Sequence, residues 1–161
     1  MRNAQCEMRS GRQWGRWALC GLLLLAASGA AAAEARDLKG LMKATGLKYA
    51  MQGEGTACLL MRSKAGLHPV IVRALKGRLA VMCEIVAAHA DSAPSALWKK
   101  LAQANAAPRL AHAGLQEGVF YAVTGASLVS VDAKLLKAMI TDVAAMTDEL
   151  QPVLKDLLAV E

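Results

Sequence analysis

Aromatic side chains are scarce in this 161-residue sequence: three Trp, two Tyr and one Phe, or 4% of the chain. Trp14 and Trp17 fall near the start, which leaves Tyr49, Trp98, Phe120 and Tyr121 for everything downstream. No basic stripe with interleaved aromatics exists, and this removes the usual platform for stacking nucleic-acid bases. Histidine is equally sparse. His68, His89 and His112 lack ligand spacing, no Ser or Cys nucleophile lies in a recognisable turn, and all three read as surface or loop residues. Only four prolines are present, no Gly/Ser/Pro linker divides the chain, and no internal repeat is visible, so one domain is expected.

The first 33 residues carry most of the charge asymmetry. "MRNAQCEMRSGRQWGRW" holds Arg2, Arg9, Arg12 and Arg16 against Glu7, and an apolar run from Trp17 to Ala27 follows. A basic leader, a short apolar run and small residues in an A-x-A pattern make a secretory signal peptide. Cleavage is expected after Ala33, with Ala30 and Ala35 as near rivals, and Met8 offers a second start. The run falls short of the roughly 20 strongly apolar residues of a transmembrane helix, so no stable span remains after cleavage. Cys20 precedes most of the apolar run and follows Leu19, the wrong place for a lipid anchor. The expected destination is the periplasm or the exterior.

Residues 34–161 then form the working protein. Of 19 basic and 13 acidic side chains, the leader takes four and one, leaving 15 and 12. That near balance, with charges scattered singly, argues against nucleic acid as a partner. The remaining 128 residues suffice for one domain burying roughly two-thirds of its unfolded surface.

Periodicity along this segment predicts an α+β fold with an antiparallel sheet. A short amphipathic helix over Asp37 to Thr45 ends at Gly46, and a strand interrupted by Gly53-Glu54-Gly55 follows. Val70 to Lys76 and Leu79 to Val86 flank Gly77-Arg78, which suits a two-residue type II′ hairpin turn. Lys76 then faces Leu79, Ala74 faces Val81, Val72 faces Cys83, and Val70 faces Ile85. Alternation sends these apolar partners to one face and Ile71, Arg73, Leu75, Ala80, Met82 and Glu84 to the other. The first face is core; the second is half-polar and semi-exposed.

Asp91 or Ser92 is expected to cap a helix through "SAPSALWKKLAQANA", with Leu97, Trp98, Leu101 and Ala102 at helical spacing. A second hairpin turns at Gln116-Glu117-Gly118. Ser130 or Asp132 caps a long last helix, striped by Leu136, Met139, Ile140, Val143, Met146, Leu150, Val153 and Leu157. Pro152 should kink this helix or split off its final turns. The expected order is α-β-β-β-α-β-β-α.

That order, together with "LWKKLAQANAAPRLAHAGLQEGVFYAVTGASLVSVDAKLLKAMITDVAAMTDELQPVL", resembles the YbjN-type domain, a bacterial group with a type III secretion chaperone-like fold. Leu97, Leu101, Asn105, Phe120 and Val131-Asp132 sit where the family pattern has a Leu-rich helix ending in Asn, a hairpin, a turn and a long terminal helix. The resemblance implies a small, non-enzymatic, often dimeric domain that binds protein segments, and it brings no catalytic residues. Secretion chaperones are cytoplasmic and usually acidic, whereas this chain carries an export leader and is mildly basic.

Cys58 and Cys83 are the cysteines beyond the leader, and an oxidising compartment invites their pairing. In a meander, however, one strand separates theirs and places the backbones about 10 Å apart, beyond the roughly 7 Å a disulfide spans. No disulfide is expected. Cys58 with Met61, and Met82 with Cys83, are odd-numbered offsets that point to opposite faces, so no soft-metal site forms. No cofactor is implied. The leading reading is an exported adaptor or chaperone-like protein holding a protein partner, or its own copy as a homodimer. Its contact residues are Ile71, Arg73, Leu75, Met82 and Glu84 on the sheet, or a helix groove near Trp98. A thiol-dependent redox enzyme using Cys58 or Cys83 is the rival and needs an exposed, low-pKa thiol. A lipid carrier has only apolar content in its favour.

Overall fold

Asp37 starts the described chain by capping a helix, its carboxylate accepting the Lys39 amide hydrogen at 3.0 Å. The computed structural model describes residues 37–64, 66–87 and 94–159. The leader and its cleavage site, His89, and the Asp91 and Ser92 capping positions lie outside them. The capped helix, α1 (Leu38–Ala44), buries Leu38 and Met42, and Gly46 leaves it at φ 72°, a left-handed conformation that glycine adopts without strain.

The interrupted strand proves to be two strands. β1 (Ala50–Met51) reverses through Gln52 to Gly55 and pairs antiparallel with β2 (Thr56–Arg62). Gly53, at φ 110°, turns the chain back on itself rather than merely breaking one strand. β3 (Leu67–Leu75) and β4 (Arg78–Ala87) form the expected hairpin in a different register. Leu75 faces Arg78, Ala74 faces Leu79, Val72 faces Val81, and Val70 faces Cys83. The turn residues are Lys76 and Gly77, at φ 49° and 75°, so the turn is type I′ and not type II′. The slip is two residues, and alternation therefore keeps every side chain on its expected face.

α2 (Ser95–Ala106) has Pro94 at its N-cap position and buries Leu97, Leu101 and Ala104. Trp98 and Ala102, which recur with Leu97 and Leu101 at helical spacing, are exposed. β5 (His112–Gln116) and β6 (Val119–Ser127) flank Glu117 and Gly118, again both at positive φ, so Gln116 belongs to the strand and not the turn. After a 3-10 turn (Leu128–Ser130), Asp132 caps α3 (Ala133–Leu158), accepting from the Leu135 amide at 2.7 Å.

Pro152 neither ends nor divides α3. Its own position is exposed, while Leu154 beyond it is fully buried and Leu157 and Leu158 rest against the core. Burying those leucines offsets the missing backbone hydrogen bond. The stripe runs as expected from Leu136 to Leu150 and then passes to Leu154, with Val153 only partly buried.

The six strands form one antiparallel sheet in the order β1-β2-β3-β4-β6-β5. α3 lies across β3, β4 and β6, α1 against β2 and α3, and α2 against β5 and α3. All three helices thus share one face, above Ala57, Leu59, Val70, Val72, Val81, Cys83, Phe120 and Ala122. In β4 a bulge between Glu84 and Val86 leaves Ile85 out of the ladder, and Gln151 of α3 donates to its carbonyl oxygen at 3.0 Å. Asn105, which closes the Leu-rich helix, donates to the Ala113 carbonyl at 2.9 Å and accepts from its amide at 2.7 Å. One side chain thereby plays the part of a neighbouring strand along the β5 edge.

Candidate functional site

With the helices gathered on one side, the other side of the sheet carries no helix among the described residues. One row of side chains crosses it through all six strands: Ala50, Cys58, Ile71, Met82, Val123 and His112. Every member but the last is apolar. Thr56, Arg73, Ala80 and Gly125 form the row on one side of it, while Glu84, Tyr121 and Gly114 continue the row on the other. Leu60 of β2 and Leu75 of β3 rise from this face at 47% and 37% exposure.

The structure brings together five of the six expected contact residues. Ile71 and Met82 are direct cross-strand partners, and Arg73, Leu75 and Glu84 share their face. Trp98 is elsewhere. It lies on α2, edge-on to Phe120 with ring centroids 5.9 Å apart, and Phe120 belongs to the covered face. Sequence reasoning missed Leu60, Tyr121 and Val123, whose alternation in β2 and β6 carried the same signal as the central hairpin.

Arg73 and Glu84 form no ion pair with each other or with any described residue. They stand on adjacent strands on opposite sides of the Ile71–Met82 pair. The negative charge of Glu84 is felt locally. Burial, and then Glu84 and Glu117, push the Tyr121 phenol well above its ordinary range. The apolar row is thus flanked by Arg73 and Glu84, and exposed Arg62 of β2 and Arg78 of β4 stand further out on the same face.

The thiols do not suit redox chemistry. Cys58 and Cys83 are buried, on strands separated by β3, and point to opposite faces of the sheet. Burial pushes the Cys83 thiol up to about 11, against a smaller opposing effect of its hydrogen bond with Thr147. A reactive cysteine needs the reverse shift and an open approach.

His68 corrects the expectation of three surface histidines. It lies in β3 at 2% exposure, on the helix side, with Nε2 2.8 Å from Ser63 Oγ and 3.4 Å from Asp148 Oδ1. Ser63 donates to that same carboxylate at 2.5 Å. Both contacts use a single ring nitrogen, and the serine proton goes to the carboxylate, so this is not the relay of a nucleophilic triad. It ties the β2–β3 connection to α3. His112 is exposed in β5. Among the described residues no cluster of His, Cys, Asp or Glu could hold a metal ion, and no helix is long and apolar enough to cross a membrane.

Comparison of the whole fold places this geometry among solved structures. The chain is similar to one from the heterodimeric ExoU–SpcU complex of the Pseudomonas aeruginosa type III secretion system, with a TM-score of 0.55 and 16% identity, covering 74% of this chain and 98% of that one. It is similar to a chain of the HopA1–SchA chaperone–effector complex, at 0.52 and 12%, covering 71% and 90%. A third likeness is to the Yersinia pestis type III secretion chaperone SycH complex with a fragment of YscM2, at 0.51 and 12%, covering 70% and 95%. The fold is chaperone-like. No protein-family model and no curated protein matches the sequence. At these identities the likeness is one of fold alone.

Proposed function

We propose that this protein is an exported, non-enzymatic, chaperone-like module that binds a protein partner through the helix-free face of its sheet. The observation that carries the reading is the apolar row through Ile71 and Met82, which no helix covers among the described residues and which Arg73 and Glu84 flank. Apolar surface of this kind, rimmed by charge, is the usual mark of a protein contact. Support also comes from the fold, which recurs in chains solved within chaperone–effector and other two-protein complexes. The YbjN-type pattern of Leu97, Leu101 and Asn105 agrees with a small binding domain, and the basic leader ending at Ala33 with work in the periplasm or outside the cell.

Two measurements test this. Intact mass of the exported protein should start it near Glu34; an intact Met1 or a lipid on Cys20 would contradict export by cleavage. Affinity capture from periplasmic extract should then recover a protein that Met82→Glu loses and that Lys134→Glu, on the exposed side of α3, retains. Equal recovery by both variants would remove the sheet face from the reading.

A further inference from the structure

The charges on the open face go further, and the inference rests on that face being the binding surface. We infer that its partner is an acidic amphipathic helix of another protein, laid along β2, β3 and β4 with carboxylates over Arg62 at one end and over Arg73 and Arg78 at the other.

Among the open-face side chains of these three strands, Arg62, Arg73 and Arg78 stand against a single carboxylate, Glu84. Lys76 and Glu54, in the turns at one end, line a shared cleft and contribute one charge of each sign. None of the three arginines forms an ion pair with a described residue. A patch with this surplus repels its own copy and recruits an acidic surface.

The strand registers place the charges. Thr56 faces Arg73, and Arg62 is six residues further along β2, which at about 3.4 Å per residue is about 20 Å. Arg78 of β4 faces Leu75, two residues beyond Arg73, so Arg73 and Arg78 lie about 8 Å apart. A line from Arg62 to that pair passes over Leu60 and Ile71, with Met82 beside it. Glu84 lies off the line, diagonally across the Ile71–Met82 pair from Arg73. The open face therefore offers an apolar spine with positive charge at both ends.

Only side chains project from the face of a sheet, since its backbone groups bond within its plane. A strand laid on that face would leave its own amides and carbonyls unpaired in the contact, whereas a helix satisfies them internally. Dimensions agree. Three strands measure about 10 Å from first to last, the width of one helix with its side chains. The distance from Arg62 to Arg73 takes about 14 helical residues at 1.5 Å each. The partner helix then carries an apolar stripe at i, i+3, i+4 and i+7 for Leu60, Ile71 and Met82, and acidic residues near both of its ends. An anionic bilayer fits less well: it would press on Glu84 as it does on the arginines, while a helix leaves that corner clear.

The probe for the test is a fluorescein-labelled helical peptide of about 14 residues, its leucine stripe flanked by glutamates; a control peptide has lysine in place of each glutamate. Fluorescence anisotropy at low salt should show the exported protein binding the acidic peptide, and the lysine peptide on the order of a hundredfold more weakly. Arg73→Glu combined with Arg78→Glu should reverse that preference, with circular dichroism reporting an intact fold. Arg62→Glu and Arg78→Glu, both at exposed positions, should each weaken the acidic peptide on the order of tenfold, and they keep the test open if Arg73→Glu does not fold. Lys134→Glu, on the exposed side of α3, should change nothing. Equal binding of the two peptides overturns the proposal, as does binding of neither, or an acidic peptide that the arginine variants hold as well as the wild type. Vesicles of equal parts phosphatidylglycerol and phosphatidylcholine form the second arm. Arginine-dependent binding to them without peptide binding makes the occupant a membrane surface and overturns the helix. If the peptide fails while the Met82-dependent protein of the preceding section is still captured, the binding face stands and only its occupant is wrong. If the peptide binds through the arginines but Met82→Glu leaves it unaffected, the apolar face itself falls, and the proposal with it.

Discussion

Substituting glutamate at two neighbouring positions of β4 separates the covered face from the open one. Val81 is completely buried beneath α3, whereas Met82, one residue along, is partly exposed on the helix-free side. In Val81→Glu the apolar side chain is lost, worth about 2 kcal/mol at such a site. The incoming carboxyl cannot ionise there. A buried glutamate with a pKa near 8 instead of its ordinary value near 4.3 forfeits roughly 4 kcal/mol of ionisation at pH 7. The sum, about 6 kcal/mol, rivals the 5–15 kcal/mol total stability typical of a domain. Val81→Glu should be largely unfolded at neutral pH.

The ionisation part carries a sign that can be checked. A carboxyl whose folded pKa is raised costs nothing below its unfolded pKa and most above its folded one. The gap between Val81→Glu and wild type should therefore narrow towards pH 4 and widen from there to about pH 8. Met82→Glu should stay within about 1 kcal/mol of wild type at every pH, as a partly exposed position does. Urea melts of both variants across this range are the assay. Equal unfolding by the two would mean that both faces are core; a gap independent of pH would mean that the carboxyl at position 81 reaches water.

Cys83 should resist alkylation in the folded protein at pH 8 and react after denaturation, and stability should fall between pH 9 and 11 as the unfolded thiol ionises before the folded one pushed up to about 11; rapid native labelling would overturn its burial. Asn105→Ala should cost about 2 kcal/mol for two hydrogen bonds and expose the Ala113 amide to solvent exchange, which NMR can follow. Gly55→Ala should destabilise, since its new Cβ would meet the Ala74 carbonyl oxygen at 2.8 Å, whereas Gly40→Ala in α1 meets nothing and should stabilise by roughly 0.5–1 kcal/mol. Thermal melts distinguish the two glycines.

How much of this was legible depends on the range of the interaction that decides it. The class, the antiparallel hairpins, the Asp132 cap and the two faces of β3 and β4 follow from local rules, because side chains alternate strictly in strands and recur every 3.6 residues in helices. The turn type was harder. Local chemistry pointed to Gly77-Arg78, and pairing across the whole hairpin places the turn one residue earlier, at Lys76-Gly77. The error did no harm to the site, because a slip of two leaves faces unchanged. Pro152 departs from local chemistry in one respect: its final turns are not split off, because Leu154 beyond it is buried in the core.

The sequence by itself determined which residues share a face, since that is a matter of parity along each strand. The wholly apolar face of the β3–β4 hairpin also marked the side that the helices cover, but which strands would lie side by side it could not determine. The row from Ala50 to His112 joins residues up to 73 positions apart and exists only because β6 inserts between β4 and β5. The same holds for His68, which reads as a loop residue until α3 brings Asp148 against it from 80 residues away. The diagonal of Arg73 and Glu84 also waited on the fold, because two like steps along a chain become opposite steps in space only where the strands run antiparallel.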